Sequence, residues 1–380
     1  MRPRLAWGPT PIISIRNWSR GMQCLGYEST TLVWNVYPIH ERSDFDILRE
    51  DLGPRTGLFE LWRDYAPFVW VLRNADILLT FFDGGFLQNT PYRWLELRML
   101  RLAGKAVGVS PYGGDIAVRG YVAGWEEAMA IDYPEVIARS DETRARVDWF
   151  SRYADVTVRN INPGYLPRAD VLWPNQFALD PSEFHPGPKS DADGRTGPVT
   201  VLHAPNHRRI KATPDLELAV DALRAEGLDV RLVLLERRPN REVRDALRTA
   251  DVLAEQFLVG YGLLAVEGMA SGAAVISNLG WLPDEVRLHP AIAESPIVDA
   301  TPETLTDRLR ELVLDPERRA RLGAIGRDYV MRWHSDTAAA TTWRSIVDAV
   351  WTGSPVPRLS APHASVGVDR RGGPARSPRC

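Results

Sequence analysis

Short apolar runs rich in β-branched residues alternate with longer stretches of helical period from the first residues to about residue 350. A chain written this way builds βα units, because each apolar run is buried inside a parallel sheet and each amphipathic stretch covers one of its faces. In the first half, 5–7, 29–36, 77–82, 106–110 and 156–159 read as strands, with 89–103 and 140–153 as helices. Residues 184–198 are dense in Pro, Gly, Ser and Asp and poor in anything that could fill a core, and after them the alternation restarts. Strands are expected at 199–203, 230–236, 252–257 and 274–277, and helices at 214–226, 242–250, 263–271, 302–314, 316–333 and 336–351.

A length of 380 residues suits two cores rather than one. The expected division is an N-terminal Rossmann-like domain over 1–183, a linker over 184–198 and a second such domain over 199–335. The helix over 336–351 then crosses back to the first domain, and a tail over 352–380, nearly free of large apolar residues, is expected to be disordered. A formal net charge of -3 gives no global reason to expect a nucleic-acid partner. Cys24 and Cys380 fall near opposite ends, a pattern from which neither a disulfide framework nor a zinc site is expected. Pro9 and Pro11 interrupt the basic start before an apolar signal region develops, and Arg73, Asn74 and Asp76 interrupt the most apolar stretch, 68–82. The expected location is the cytoplasm; arginines of the tail leave open a peripheral contact with anionic lipid, against the blander reading of a solvated tail.

The strongest chemical signal is Gly260-Tyr261-Gly262-Leu263, followed by Glu267 one turn into a helix. Glycines between a strand and a helix let a diphosphate approach backbone N–H groups at the positive end of the helix dipole. A carboxylate on an otherwise apolar helix face needs a partner if it is buried, and two vicinal ribose hydroxyls would serve. Upstream, Glu255 and Gln256 lie close to the same turn, either as sugar contacts or as polar ends of a strand. The loop after the first strand of the second half holds His203, Asn206, Arg208, Arg209 and Lys211, a cationic group beyond the carboxyl end of a parallel strand. In the first half Asp115 follows Gly113-Gly114 at a strand end, where it is either a turn carboxylate or a site residue.

These segments resemble the retaining GT-B glycosyltransferases of family 4, whose donor region reads Glu, any residue, Phe-Gly, four residues, then Glu-Ala-Met-Ala-x-Gly. Tyr261-Gly262 stands at the Phe-Gly, Glu267 at the second Glu, and Val259 where the first Glu would fall. The resemblance implies two Rossmann-like domains facing across a cleft, and transfer of a sugar from a nucleoside-diphosphate donor with retention and without a metal or cofactor. It implies that Glu267 holds the ribose, that Gly260, Tyr261, Gly262 and Leu263 meet the diphosphate, and that Lys211 with Arg208 or Arg209 neutralises the leaving group. His203, Asn206, Glu255, Gln256 and Asp115 complete the expected site. Asn175, Asp180, Phe184 and Pro186 match the family's interdomain crossing. The acceptor, whether a saccharide, a lipid-linked molecule or a small molecule, is left open. Two other readings are a non-catalytic nucleotide-sugar or glycan binder, and a sugar-nucleotide epimerase using His203 or His207 for proton or water chemistry.

Overall fold

The computed structural model describes residues 2–53, 62–121, 126–162 and 164–356, so all of the tail beyond 356 lies outside the described residues. Among them, strands β1 (Leu5–Trp7), β2 (Ser29–Val33), β3 (Ile47–Leu48), β4 (Ile77–Thr80), β5 (Ala106–Val109), β6 (Val156–Arg159) and β7 (Val171–Leu172) form one sheet. Its order is β3-β2-β1-β4-β5-β6-β7, with every pairing parallel. Strands β8 (Val199–His203), β9 (Val230–Leu234), β10 (Val252–Ala254), β11 (Ala274–Ser277) and β12 (Val298–Asp299) form a second parallel sheet in the order β12-β11-β10-β8-β9. The molecule is thus α/β, with two Rossmann-like sheets.

Several elements differ from the sequence reading. The strands β3 and β7, of two residues each, are too short to show a period. The helix Ile13–Cys24 contains Ser, Asn and Gly, weak helix formers, yet its buried Ile15, Trp18 and Met22 follow helical spacing. Gly21 sits in it because a Cβ there would come within 2.8 Å of the Ala340 Cβ and the Asp336 carbonyl of the crossing helix. The helix expected from residue 89 begins only at Glu96, preceded by turns that include Pro91. The Glu96 carboxylate turns inward and accepts from the Phe86 and Leu87 N–H groups, 2.8 Å each.

Two segments connect the halves, and they run side by side. The Leu179 N–H donates to the His334 carbonyl and the Asp336 N–H to the Leu179 carbonyl, each at 3.0 Å, while the Asn175 amide donates to the Trp333 carbonyl at 2.9 Å. The last helix, Asp336–Thr352, then packs on the first sheet. Its Trp343 ring lies 5.1 Å from Trp7, 5.3 Å from Trp18 and 5.3 Å from Trp173, so one aromatic cluster joins β1, the first helix, the crossing segment and the returning helix. The proline- and glycine-rich stretch is strapped to the second sheet rather than left free. Lys189 donates to the Leu247 and Ala250 carbonyls at 2.9 and 2.8 Å, and Arg319 holds the carbonyls of Ser190 and Ala192.

Candidate functional site

Open parallel sheets meet their ligands beyond the carboxyl ends of the strands, where the strand order reverses. In the second sheet that point lies between β8 and β10. His203, the last residue of β8, fastens it: Nδ1 is 2.7 Å from the Ala254 carbonyl and Nε2 is 2.9 Å from the Thr213 hydroxyl. Burial drives the imidazole pKa down to about 4, so the ring is neutral at pH 7. Nδ1–H then donates to the carbonyl and Nε2 accepts from the hydroxyl, which leaves neither nitrogen to carry a substrate proton.

Lys211 ends the loop that follows β8, and its Nζ lies 3.0 Å from Oε1 of Glu255, the residue after β10. Glu255 is fully buried; its other oxygen accepts from the Ser277 hydroxyl at 2.9 Å and from the Gly262 N–H at 3.4 Å. One carboxylate therefore ties the lysine to the glycine turn. Ala212 adopts φ 52°, a left-handed conformation that costs a residue with a Cβ about 1–2 kcal/mol. The two arginines separate. Arg208 is committed to Glu217 at 2.6 Å and to Glu236, whereas Arg209 is exposed and makes no ion pair among the described residues. Asn206 is exposed, and its carbonyl accepts from Arg237 Nε at 3.3 Å.

The glycine turn is built by close packing. A Cβ on Gly260 would fall 1.6 Å from the Asn278 carbonyl oxygen, and one on Gly262 2.6 Å from Glu255 Oε1. Gln256 is buried beside Gly262. Tyr261, at φ 62°, turns its side chain away from the turn into the core, where its hydroxyl meets His334 Nε2 at 2.6 Å and the Tyr329 hydroxyl. Since His334 Nδ1 is 2.7 Å from the Phe177 carbonyl, this tyrosine links the turn to both crossing segments. Gly262 is the N-cap of helix Leu263–Ala270 and supplies no side-chain cap, so the first helical N–H groups stand where an anion is favoured.

Glu267 is 6% exposed, and its closest polar partner among the described residues is the Asn240 amide, at a long 3.4 Å. Burial pushes its pKa up to about 7. It borders a cleft of about 430 Å³ whose other walls include Arg16 and Arg20 of the first domain, Glu183 of the crossing and Arg244. Glu183 bridges the sides, 3.5 Å from Arg16 and 2.7 Å from Arg244.

The first domain contributes a carboxylate pair. Asp115 is buried and accepts from the N–H groups of Tyr112, Gly113 and Phe82 at 3.0, 2.8 and 3.1 Å, so it organises the loops after β4 and β5. Burial, then the neighbouring Asp83, raises its pKa to about 7. Asp83 itself takes a hydrogen bond from the Thr10 hydroxyl at 2.7 Å, across the reversal point between β1 and β4. The sequence reading missed Asp83, Ser277 and Asn240, since isolated polar residues at the ends of strands and helices carry no spacing of their own.

Val259 lies in an apolar contact between the domains. It packs with Ile210 of the second domain against Ala128, Met129 and Ile137 of the first. Beside this contact Asp132 accepts from the Ile210 N–H at 2.9 Å, and the Tyr133 and His207 rings stand 4.1 Å apart. A carboxylate at 259 would lose its water inside this apolar contact, so Val259→Glu is expected to cost about 2 kcal/mol. Urea unfolding tests this, and a variant as stable as the parent would show that the contact does not hold the position dry.

Lys211, Glu255 and Gly262 are thus in contact and Glu267 lies on the helix they precede, while His203 and Tyr261 support that arrangement from behind. No family model matches the sequence, and no curated protein matches it significantly. Solved structures do resemble it. The Anabaena protein HepE in complex with UDP-glucose has a TM-score of 0.56 at 11% identity, over 93% of this chain and 100% of that one. HepE with UDP and glucose gives 0.56 at 12%, over 91% and 99%. A glycosyltransferase from Rickettsia africae gives 0.54 at 10%, over 92% and 98%. At these identities the likeness is one of fold, and the fold this chain shares with them is the GT-B architecture of two facing α/β domains joined by a returning C-terminal helix.

Proposed function

We propose that the protein is a glycosyltransferase that moves a sugar from a nucleoside-diphosphate sugar to an acceptor. The observation that carries this reading is the run of groups along one strand-end crevice: Lys211 on Glu255, the glycine turn, an open helix N-terminus and a buried Glu267. In this reading Glu267 takes the ribose hydroxyls, the backbone after Gly262 takes the diphosphate, and Lys211 with Arg209 balances the charge of the leaving group. Retention without a metal follows the family-4 resemblance. The occupied nitrogens of His203 favour transfer over epimerisation at that residue. UDP-glucose, held by the fold-mate HepE, is the first donor to test.

Calorimetry with UDP-glucose tests the ribose assignment through its pH dependence. The folded pKa of Glu267 is raised, so its protonated form favours the fold; that contribution is full below its ordinary value of 4.5 and is lost as pH rises through about 7. Ribose hydroxyls donate to the ionised form. Donor affinity is therefore expected to climb between about pH 5 and about pH 7, approaching tenfold per unit, and then to level off. Glu267→Gln should flatten the profile, and Glu267→Ala should weaken binding by about 1–3 kcal/mol. Affinity independent of pH in the parent, or unchanged in both variants, would reject the assignment.

A further inference from the structure

We propose that the first domain docks on the surface of an anionic lipid bilayer through helix Glu96–Leu102 and the turn before it. Over residues 91–104 the exposed large side chains are apolar or arginine, and the one acid, Glu96, is 1% exposed and faces inward. Helical spacing puts Leu95, Arg98, Met99 and Leu102 on a common face, with Leu102 89% exposed. Aromatic rings extend this face. Trp94 stands edge-on to Trp149 at 5.7 Å, and Tyr92 lies 6.2 Å from Tyr65, near the exposed Trp62. Arg98 donates to the Tyr153 hydroxyl at 2.6 Å, and Arg152 lies over the same ring.

Charge selects the occupant. Glu142 reaches Arg93 at 3.6 Å, but Arg98, Arg101 and Arg152 make no ion pair with an acid among the described residues, in a chain whose net charge is -3. Singly exposed apolar residues are ordinary; aliphatic tips, Trp and Tyr rings and guanidinium groups joined in one face match the depth profile of a bilayer surface. Aliphatic groups enter the acyl boundary, aromatic rings sit among headgroups, and arginines meet lipid phosphates. No described helix is long and apolar enough to cross a membrane, so the contact is with the surface.

Co-sedimentation of the full chain with phosphatidylcholine vesicles, with and without phosphatidylglycerol, tests the proposal. The protein is expected to pellet with the anionic vesicles several-fold more than with the neutral ones. Arg98→Ala and Arg101→Ala should each lower the anionic partition by about fivefold. Leu102→Asp, at a position that touches no core, should lower it further while the thermal unfolding curve stays in place. Absence of pelleting, or equal pelleting with both vesicles, would overturn the proposal. So would variants that pellet like the parent, which would move the lipid contact elsewhere, for instance to the arginines of the tail. A dimer in light scattering that Leu102→Asp dissociates would give the face to a second copy of the chain instead.

Discussion

Lys211→Ala is expected to reduce the rate of nucleoside-diphosphate release from the donor by about 10²–10³-fold, the usual cost of removing one group that stabilises developing charge. Charge on the leaving diphosphate grows towards the transition state, so kcat should fall more than the donor KM rises. A second effect accompanies it. Glu255 is fully buried, and without the lysine 3.0 Å away its hydrogen-bond partners among the described residues are the Ser277 hydroxyl and the Gly262 N–H. Because the lysine side chain is 20% exposed and reachable by water, the loss of stability should be about 2–3 kcal/mol, below the range for a wholly buried pair. Lys211→Met combined with Glu255→Gln should recover much of the stability and none of the rate. Initial rates at limiting and saturating donor, with urea unfolding of the same samples, check both. A variant in which only KM changes would reduce Lys211 to a holder of ground-state phosphate.

Gly260→Ala is expected to be the most damaging single methyl in the glycine turn. The new carbon would lie 1.6 Å from the Asn278 carbonyl oxygen, far inside contact distance, and its obstacle is backbone that cannot swing aside. The turn must move, and with it the Trp281 indole that donates to the Gly260 carbonyl at 3.1 Å. A loss of at least about 4 kcal/mol is expected, in the range reached only by overpacking or lost networks. Gly227→Ala is the comparison: its φ is 84° but nothing lies within 4 Å of the added carbon, so only the left-handed strain of about 1 kcal/mol applies. Thermal unfolding separates the two, and equal shifts would show that the turn yields to the side chain.

The strand-to-helix positions of the candidate site were legible because their residues carry local signals. Gly260-Tyr261-Gly262 lies between an apolar strand and an apolar helix, and Glu267 interrupts that helix face, so each is conspicuous within a few residues. Lys211 and Glu255 were each legible as candidates, but their pairing was not. Glu255 is 44 residues away in sequence, and nothing in its own neighbourhood says that β8 and β10 are adjacent. The arginines show the same limit: Arg208 and Arg209 are adjacent in the chain, yet only packing sends the first to Glu217 and Glu236. The first-domain pair Asp83 and Asp115 depends on two separate strand ends meeting.

By itself the sequence determined the fold class, since the alternation of buried strands and one-sided helices is written in side-chain periodicity and has few packing solutions. It also marked where the backbone is open to close approach, because the absence of a Cβ is a property of glycine before any folding occurs. Tertiary structure alone decided that Tyr261 serves the junction of the two crossing segments. It alone decided that His203 is a neutral fastening rather than a proton carrier, and that Val259 faces Met129 and Ile137 of the other domain. These outcomes depend on which distant groups share a neighbourhood, and hydrogen bonding and desolvation act through space rather than along the chain.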